Sequence, residues 1–272
     1  MRKKIKITNI LALTLLLCAV LMAVFPALFT DYDPLQLDPL HRLQGISREH
    51  ILGTDEYGRD IWARIVYGTR NSLAVGFGAA LLAMVVGVPV GLLAGWSGGW
   101  ADSLIMRVMD AIQSFPSVLL AILIMTVLPP SVLTLLLTIG IVNFPYFARI
   151  VRNNVLYIRE TEYVEATRAF GAGSWYLRLH TVLPNCVSAI VVQFSLLAGN
   201  AIILEAGLSF LGLGLQPPAP AWGLMLSYAQ GYIDRAFHYI LAPTLAIFLL
   251  VLSINASGDA LRDWLDPRSR NR

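Results

Sequence analysis

The sequence predicts an all-α membrane protein with six transmembrane helices, and three observations point there. Apolar residues fill 57% of the 272 positions and charged residues 14%, against about 45–50% and about 25% in a soluble domain. The mean hydropathy is +0.66. The apolar residues gather in long uncharged runs, each able to supply the roughly 20 residues a helix needs to cross a bilayer. Basic residues flank alternate ends of these runs, as topology signals do. The net charge of +3 is small and dispersed, which argues against nucleic-acid binding. Cys18 and Cys186 lie in or beside apolar runs, where a thiol acts as a small hydrophobe. No disulfide, metal site or cofactor is expected.

The first run, Ile7 to Thr30, follows Arg2, Lys3, Lys4 and Lys6. It exceeds the roughly 7–15 apolar residues of a signal peptide, and no small-x-small cleavage site precedes Asp31, so a spanning helix is the better reading. Asp60 and Arg64 stand four apart, with Ile61, Trp62, Ile65 and Val66 on an apolar side. That pattern predicts an interfacial helix outside the membrane, with Trp62 and Tyr67 at the interface. The second span is expected over Asn71 to Ala101. It carries small residues every fourth position, Ala79, Ala83, Gly87, Gly91 and Gly95, a ridge that lets another helix approach closely in lipid. Its partner is either another span of this chain or a second subunit. Pro89 is expected to bend this helix.

Ala111 to Ala148 forms two further spans divided by Pro129-Pro130. Leu179 to Leu204 and Ala236 to Gly258 supply the fifth and sixth, with His180 and His238 at their edges. Glu205 is expected near the outer end of the fifth, in an interfacial structural role. The run Gln216 to Gly223 reads as an ordered outer loop with Trp222 as an interface anchor. Asp259 to Pro267 reads as an amphipathic helix end.

Six spans with both termini in the cytoplasm place residues 1–6, about 97–110, 149–184 and 259–272 inside. Those segments hold most of the basic residues, including Arg107, Arg149, Arg152, Arg159, Arg168, Arg178 and Arg262, against six arginines in the two large outer loops. The positive-inside rule is satisfied.

The inside segment 163–184 is polar and helix-compatible between long apolar runs. Tyr163, Ala166 and Phe170 fall at i, i+3 and i+7, one apolar stripe bordered by Glu165 and Arg168. Such a stripe can seat in a groove on a partner. Gly171 and Gly173 are expected to end the helix in the left-handed conformation, and Pro184 to open the next one. A short helix between a glycine break and a proline start would move as a lever. The sequence lacks the means to drive it: a P-loop needs a lysine after its glycines, and every lysine lies at or before residue 6. Nor do the middles of the spans carry the ionisable groups of an ion relay.

Glu165-Ala166, Gly171 and Leu183-Pro184, with Thr167 and Thr181 at two softened anchors, resemble the coupling loop of permease subunits in ATP-binding-cassette importers. The wider chain is similar to the second permease subunit of dipeptide, oligopeptide and nickel importers. The stretch from His50-Ile-Leu-Gly-Thr-Asp-Glu to Arg64 carries this, as do Gly68-Thr-Arg-Asn-Ser-Leu73, Arg107-Val-Met-Asp110, Leu208-Ser-Phe-Leu-Gly212 and Gly258-Asp-Ala-Leu-Arg. The resemblance implies a six-helix type I ABC importer permease fold in a bacterial inner membrane. It implies residues 1–70 as a helix and extracytoplasmic segment, and 71–272 as the permease domain with coupling loop 151–184. The implied partners are a homologous permease in a heterodimer, two ATP-binding subunits and an extracytoplasmic solute-binding protein. The implied ATPase-coupling residues are Tyr163, Glu165, Ala166, Arg168, Phe170, Gly171, Leu183 and Pro184; Gly87, Gly91 and Gly95 remain the packing residues.

Peptides are the first substrate choice. Nickel is the alternative, since His41, His50 and His238 are conceivable contacts without ligand spacing. Two remoter readings are a self-sufficient carrier and an intramembrane serine protease built on Ser209 with His180 or His238. Ser209 is followed by Phe210 rather than by the glycine of a nucleophile turn. No catalytic residue is assigned, and ATP hydrolysis is expected on partner subunits.

Overall fold

The first of two 37-residue helices starts where a charged segment ends. The backbone N–H of Ala63 donates to Asp60 Oδ1 at 2.6 Å, capping α2 (Ile61–Ser97). The computed structural model describes residues 7–265, and side chains through residue 263. Arg2, Lys3, Lys4, Lys6, Trp264, Pro267, Arg268, Arg270 and Arg272 contribute nothing further to the structural argument, because they or their side chains lie outside that range.

The interfacial helix expected at Asp60 is instead the first two turns of α2, continuous with the second span over 37 residues. Ile61, Val66 and Arg64 are buried under protein. Segment 25–60 folds over them, so the apolar side that the sequence assigns to lipid faces this segment. Trp62 Nε1 donates to the Phe29 carbonyl (2.8 Å) and Arg64 Nη1 to that of Pro34 (3.1 Å). Within the segment, Asp55 accepts from Arg59 Nε at 2.6 Å and from the backbone N–H groups of Tyr57 and Arg59, both at 2.9 Å. A buried carboxylate is tolerated when its lone pairs are met in this way. Gly58, at φ +79°, lies so close to the backbone of Asp38 that no side chain fits there.

α1 (Ile7–Val24) stops short of the Thr30 expected from the uncharged run, because Pro26 opens a separate 3-10 turn, Pro26–Leu28. Only Ala12 of α1 is buried; the remaining apolar surface is what a lipid-facing helix presents.

α2 packs most extensively on α5 (Val132–Ile158). The contact is backbone to backbone: an added Cβ would stand 2.6 Å from Phe147 Cβ at Gly87 and 2.8 Å from Val155 Cβ at Gly95, and at Gly91 it would run into the Ala148 carbonyl oxygen. The glycine ridge is therefore occupied within the chain. Pro89 is contained inside α2, which continues through it.

The third span departs furthest from its expected form. Helix begins at Gly99 rather than Ala111, giving α3 (Gly99–Gln113) and α4 (Ser117–Val127) with an 80° bend between them. Pro116 accounts for the break, since a proline disfavours helical geometry in the residue before it. The eleven residues of α4 reach about 16 Å, too little to cross alone. Among the described residues five helices are long and apolar enough to span, and the bent pair, taken as one span, makes six. Arg152 grips Asp102 through two bonds of 2.6 Å and Arg149 Nη2 reaches Asp110 at 2.6 Å, tying α3 to α5.

After α6 (Glu162–Ala169), a short α7 (Ser174–Tyr176), a π turn (Leu177–Val182) and α8 (Leu183–Phe210) run on as one 37-residue helix. α9 (Trp222–Ala229) and α10 (Phe237–Leu265) complete the bundle. The end of α10 takes in the stretch from Asp259 to Leu265, as the expected helix end, and the rest of that stretch lies outside the described residues. Two expected interface residues are interior. Trp222 is buried, sits on Gly68 and donates from Nε1 to the Ile65 carbonyl at 3.1 Å. Glu205 is 1% exposed and accepts from Ser209 Oγ at 2.7 Å. Trp222 is covered by α2, and Glu205 is enclosed in the bundle with Ser209.

Candidate functional site

Two faces of α6 are set apart by one residue. Val164 is fully buried, in the apolar cluster that includes Val155, Ile158, Leu177 and Val182. Tyr163, Ala166 and Phe170 point the other way, and Phe170 is 92% exposed. So the helix is anchored on one side and presents its stripe on the other. Glu162 and Glu165 stand in its first turn and Arg168 in its last, the arrangement a helix dipole favours. Glu165 is open to solvent. The Arg168 guanidinium lies 5.9 Å from the Trp96 ring centre, and Arg178 packs on the same ring at 5.5 Å and on Trp175 at 5.9 Å. These cation–π contacts clamp the segment to the end of α2.

Gly171 closes the helix at φ +88°. Its N–H donates to the Arg168 carbonyl at 2.9 Å and that of Ala172 to the Thr167 carbonyl at 3.3 Å, the paired bonds of a Schellman cap. Gly173 does not share this role. Its φ of −69° and ψ of 156° are ordinary extended backbone, and it serves as the N-cap of α7.

Pro184 stands in the first turn of α8, as expected, but α8 is not a fresh start. It sits inside the continuous Ser174–Phe210 helix, directly after the π turn, where the Leu183 N–H bonds the Arg178 carbonyl five residues back. A proline lacks the N–H for an α-helical bond and its ring clashes with the carbonyl four residues earlier; the wider π turn relieves both. Asn185 Nδ2 satisfies the Thr181 carbonyl at 2.7 Å. Leu183 is half-buried and Pro184 exposed. The lever expected between a glycine and a proline is thus a capped helix joined by Gly171–Gly173 to a spanning helix.

This junction carries an exposed aromatic group that sequence spacing alone does not gather. Trp175 is 64% exposed and Tyr176 53%, beside Phe170; their i, i+1 placement breaks the helical stripe, so periodicity overlooks them. Tyr176 stacks on His180 at 4.7 Å. Ser209 bonds Glu205 in the interior, at the far end of the same 37-residue helix from His180, while His238 lies against Gly53. Among the described residues Ser209 bonds neither His180 nor His238, and no cluster of three or more metal-ligating side chains is formed.

A six-span bundle with an anchored, outward-striped loop helix defines the membrane-embedded component of a transporter. The chain belongs to the family described as binding-protein-dependent transport system inner membrane component, whose model matches residues 87–271. It is a multi-pass inner-membrane transport permease, and in importers of this class ATP hydrolysis resides on separate subunits. The chain is 45% identical, over 96% of its length and 86% of the relative, to a dipeptide transport system permease protein of Alkalihalophilus pseudofirmus. It is 44% identical to a glutathione transport system permease protein of Pectobacterium atrosepticum, over 89% of this chain and 78% of that one. A di/tripeptide transport system permease protein of Pseudomonas aeruginosa matches at 42%, over 92% and 86%. Among solved structures, the inward-facing MetNI methionine ABC transporter shares the fold at a TM-score of 0.63 and 21% identity, covering 74% of this chain and 96% of that one.

Proposed function

We propose that this chain is the second permease of a heterodimeric peptide importer, lining half of the translocation pathway and driven by two ATP-binding subunits. The observation that carries the reading is the α6 stripe: Tyr163, Ala166 and Phe170 are exposed over a buried Val164 and closed by the Gly171 cap. An ATPase groove receives that stripe in the helix-in-groove mode. Its movement passes through Gly171–Gly173 into the Ser174–Phe210 helix and so to the far side of the membrane. Both termini and loop 151–184 face the cytoplasm, in line with the arginine distribution, and segment 25–60 faces outward, toward a solute-binding protein. Residues 1–70 form the first helix and this outward segment, and 71–272 the permease domain.

Peptides are the transported class. The relatives named for dipeptide, di/tripeptide and glutathione transport support this, and no metal-ligating cluster stands among the described residues in favour of nickel. The test is competition of labelled dipeptides, longer peptides and Ni²⁺ for ATP-dependent uptake by the reconstituted complex. Peptide-inhibited uptake is expected. Uptake inhibited by Ni²⁺ alone would reverse the substrate assignment.

A further inference from the structure

A cavity of about 560 Å³ opens between α2, the chain after α1 and the loop before α9, lined by Asp31, Tyr32, Asp33, Tyr67, Arg70 and Asn71 with three other residues. Its volume falls within the range of small-molecule sites. Its walls are fixed. Trp62 and Arg64 of α2 hold the carbonyls of Phe29 and Pro34 on either side of Asp31–Asp33, and Asn71 Nδ2 holds that of Pro220 at 2.9 Å. Trp222, two residues after Pro220, donates to the Ile65 carbonyl of the same helix.

The groups facing this frame are unspent. Among the described residues, the side chains of Asp31, Tyr67 and Arg70 make no hydrogen bond or ion pair with the rest of the chain. Of the arginines in segment 25–64, Arg42 is held by the Glu56 carbonyl, Arg59 by Asp55 and Glu56 and Arg64 by the Pro34 carbonyl, while Arg48, exposed and away from the cavity lining, is unpaired like Arg70. An open cavity in which exposed Asp31 and Asp33 stand with Arg70 and the rings of Tyr32 and Tyr67 suits one ligand chemistry, a small zwitterion. The ammonium of such a ligand meets Asp31, its anionic end meets Arg70, and its side chains lie on Tyr32 and Tyr67.

We propose that this cavity is a subsite for the two charged ends of a short peptide at the outward mouth of the pathway. The inference rests on the peptide reading above. Arg70 directly precedes the uncharged run that begins at Asn71, so the site lies at the membrane boundary, where a solute leaving its binding protein enters the bundle. A phosphoethanolamine headgroup shares the zwitterionic chemistry, and the test separates the two.

The full complex is placed in phosphatidylcholine nanodiscs without its binding protein, and binding of dialanine, N-acetyl-dialanine, dialanine amide and phosphoethanolamine is followed by saturation-transfer NMR. Dialanine is expected to bind best. Arg70→Gln and Asp31→Asn should each lower its signal at least about fivefold, with Arg70→Lys retaining most of it and Tyr67→Phe losing part. Blocking the carboxylate should abolish the effect of Arg70→Gln, and blocking the amine that of Asp31→Asn. Equal dialanine signals in wild type and variants, or a preference for phosphoethanolamine, would overturn the subsite. Failure of the peptide reading shows separately, as absence of ATP-dependent peptide uptake by the wild-type complex.

Discussion

Gly171→Ala isolates the backbone contribution of the α6 cap. The position holds φ at +88° and an added Cβ meets nothing within 4 Å, so no steric clash confuses the result. Placing an L-residue in the left-handed region costs about 1–2 kcal/mol, which shifts the ratio of capped to frayed helix by about 5- to 30-fold. The two cap bonds, from the N–H groups of residues 171 and 172 to Arg168 and Thr167, report this directly through amide hydrogen exchange. Both amides should exchange faster by that factor in Gly171→Ala, and less in Gly171→Asn, since asparagine tolerates the conformation. Gly173→Ala is the control, because its φ is −69° and its surroundings are equally open. In the reconstituted complex, Gly171→Ala should raise the ATP hydrolysed per peptide imported. Wild-type exchange in Gly171→Ala, or equal fraying in Gly173→Ala, would refute the cap as the coupling joint.

Gly91→Ala should lower the melting temperature of the purified protein by an amount matching about 1–3 kcal/mol of overpacking, since the new methyl meets the Ala148 carbonyl and Val151; Gly207→Ala, in open space on a helix, should be neutral. Asp102→Asn and Arg152→Gln should each destabilise, with a double-mutant coupling energy of about 0.5–3 kcal/mol measured by thermal unfolding, because the pair forms two bonds of 2.6 Å between α3 and α5. Glu205→Gln should remain near wild type while Glu205→Leu loses about 1–3 kcal/mol by leaving Ser209 without its acceptor. The same unfolding assay decides that comparison.

The uncharged runs locate the five unbroken spans because lipid imposes length and apolarity on each helix regardless of its neighbours, and they misplace the bent third. The stripe and Gly171 of α6 are legible for a similar reason: helical spacing and a left-handed cap are local rules. What the sequence hides depends on what covers a residue. The apolar side of Ile61–Val66 reads the same against lipid as against segment 25–60, and only the fold shows that protein lies there. Trp222 and Glu205 look interfacial because each stands at the end of an apolar run, yet both are buried in the bundle, Trp222 against α2. Pro184 reads as belonging to a first helical turn and does so in α8, but the π turn that joins α8 to the residues before it is hidden from the sequence. Phe115-Pro116 escaped as a break because the Pro129-Pro130 pair is the louder signal in the same run.

The central claim is that the α6 stripe is where the motor attaches. A photo-crosslinking amino acid placed at Phe170, 92% exposed on that stripe, is compared with one at Tyr57, 49% exposed in segment 25–60, in complexes assembled with purified ATP-binding subunits. The account predicts capture of an ATP-binding subunit from position 170 and none from position 57. Capture from position 57, or none from 170 in a complex that still couples hydrolysis to uptake, would contradict it.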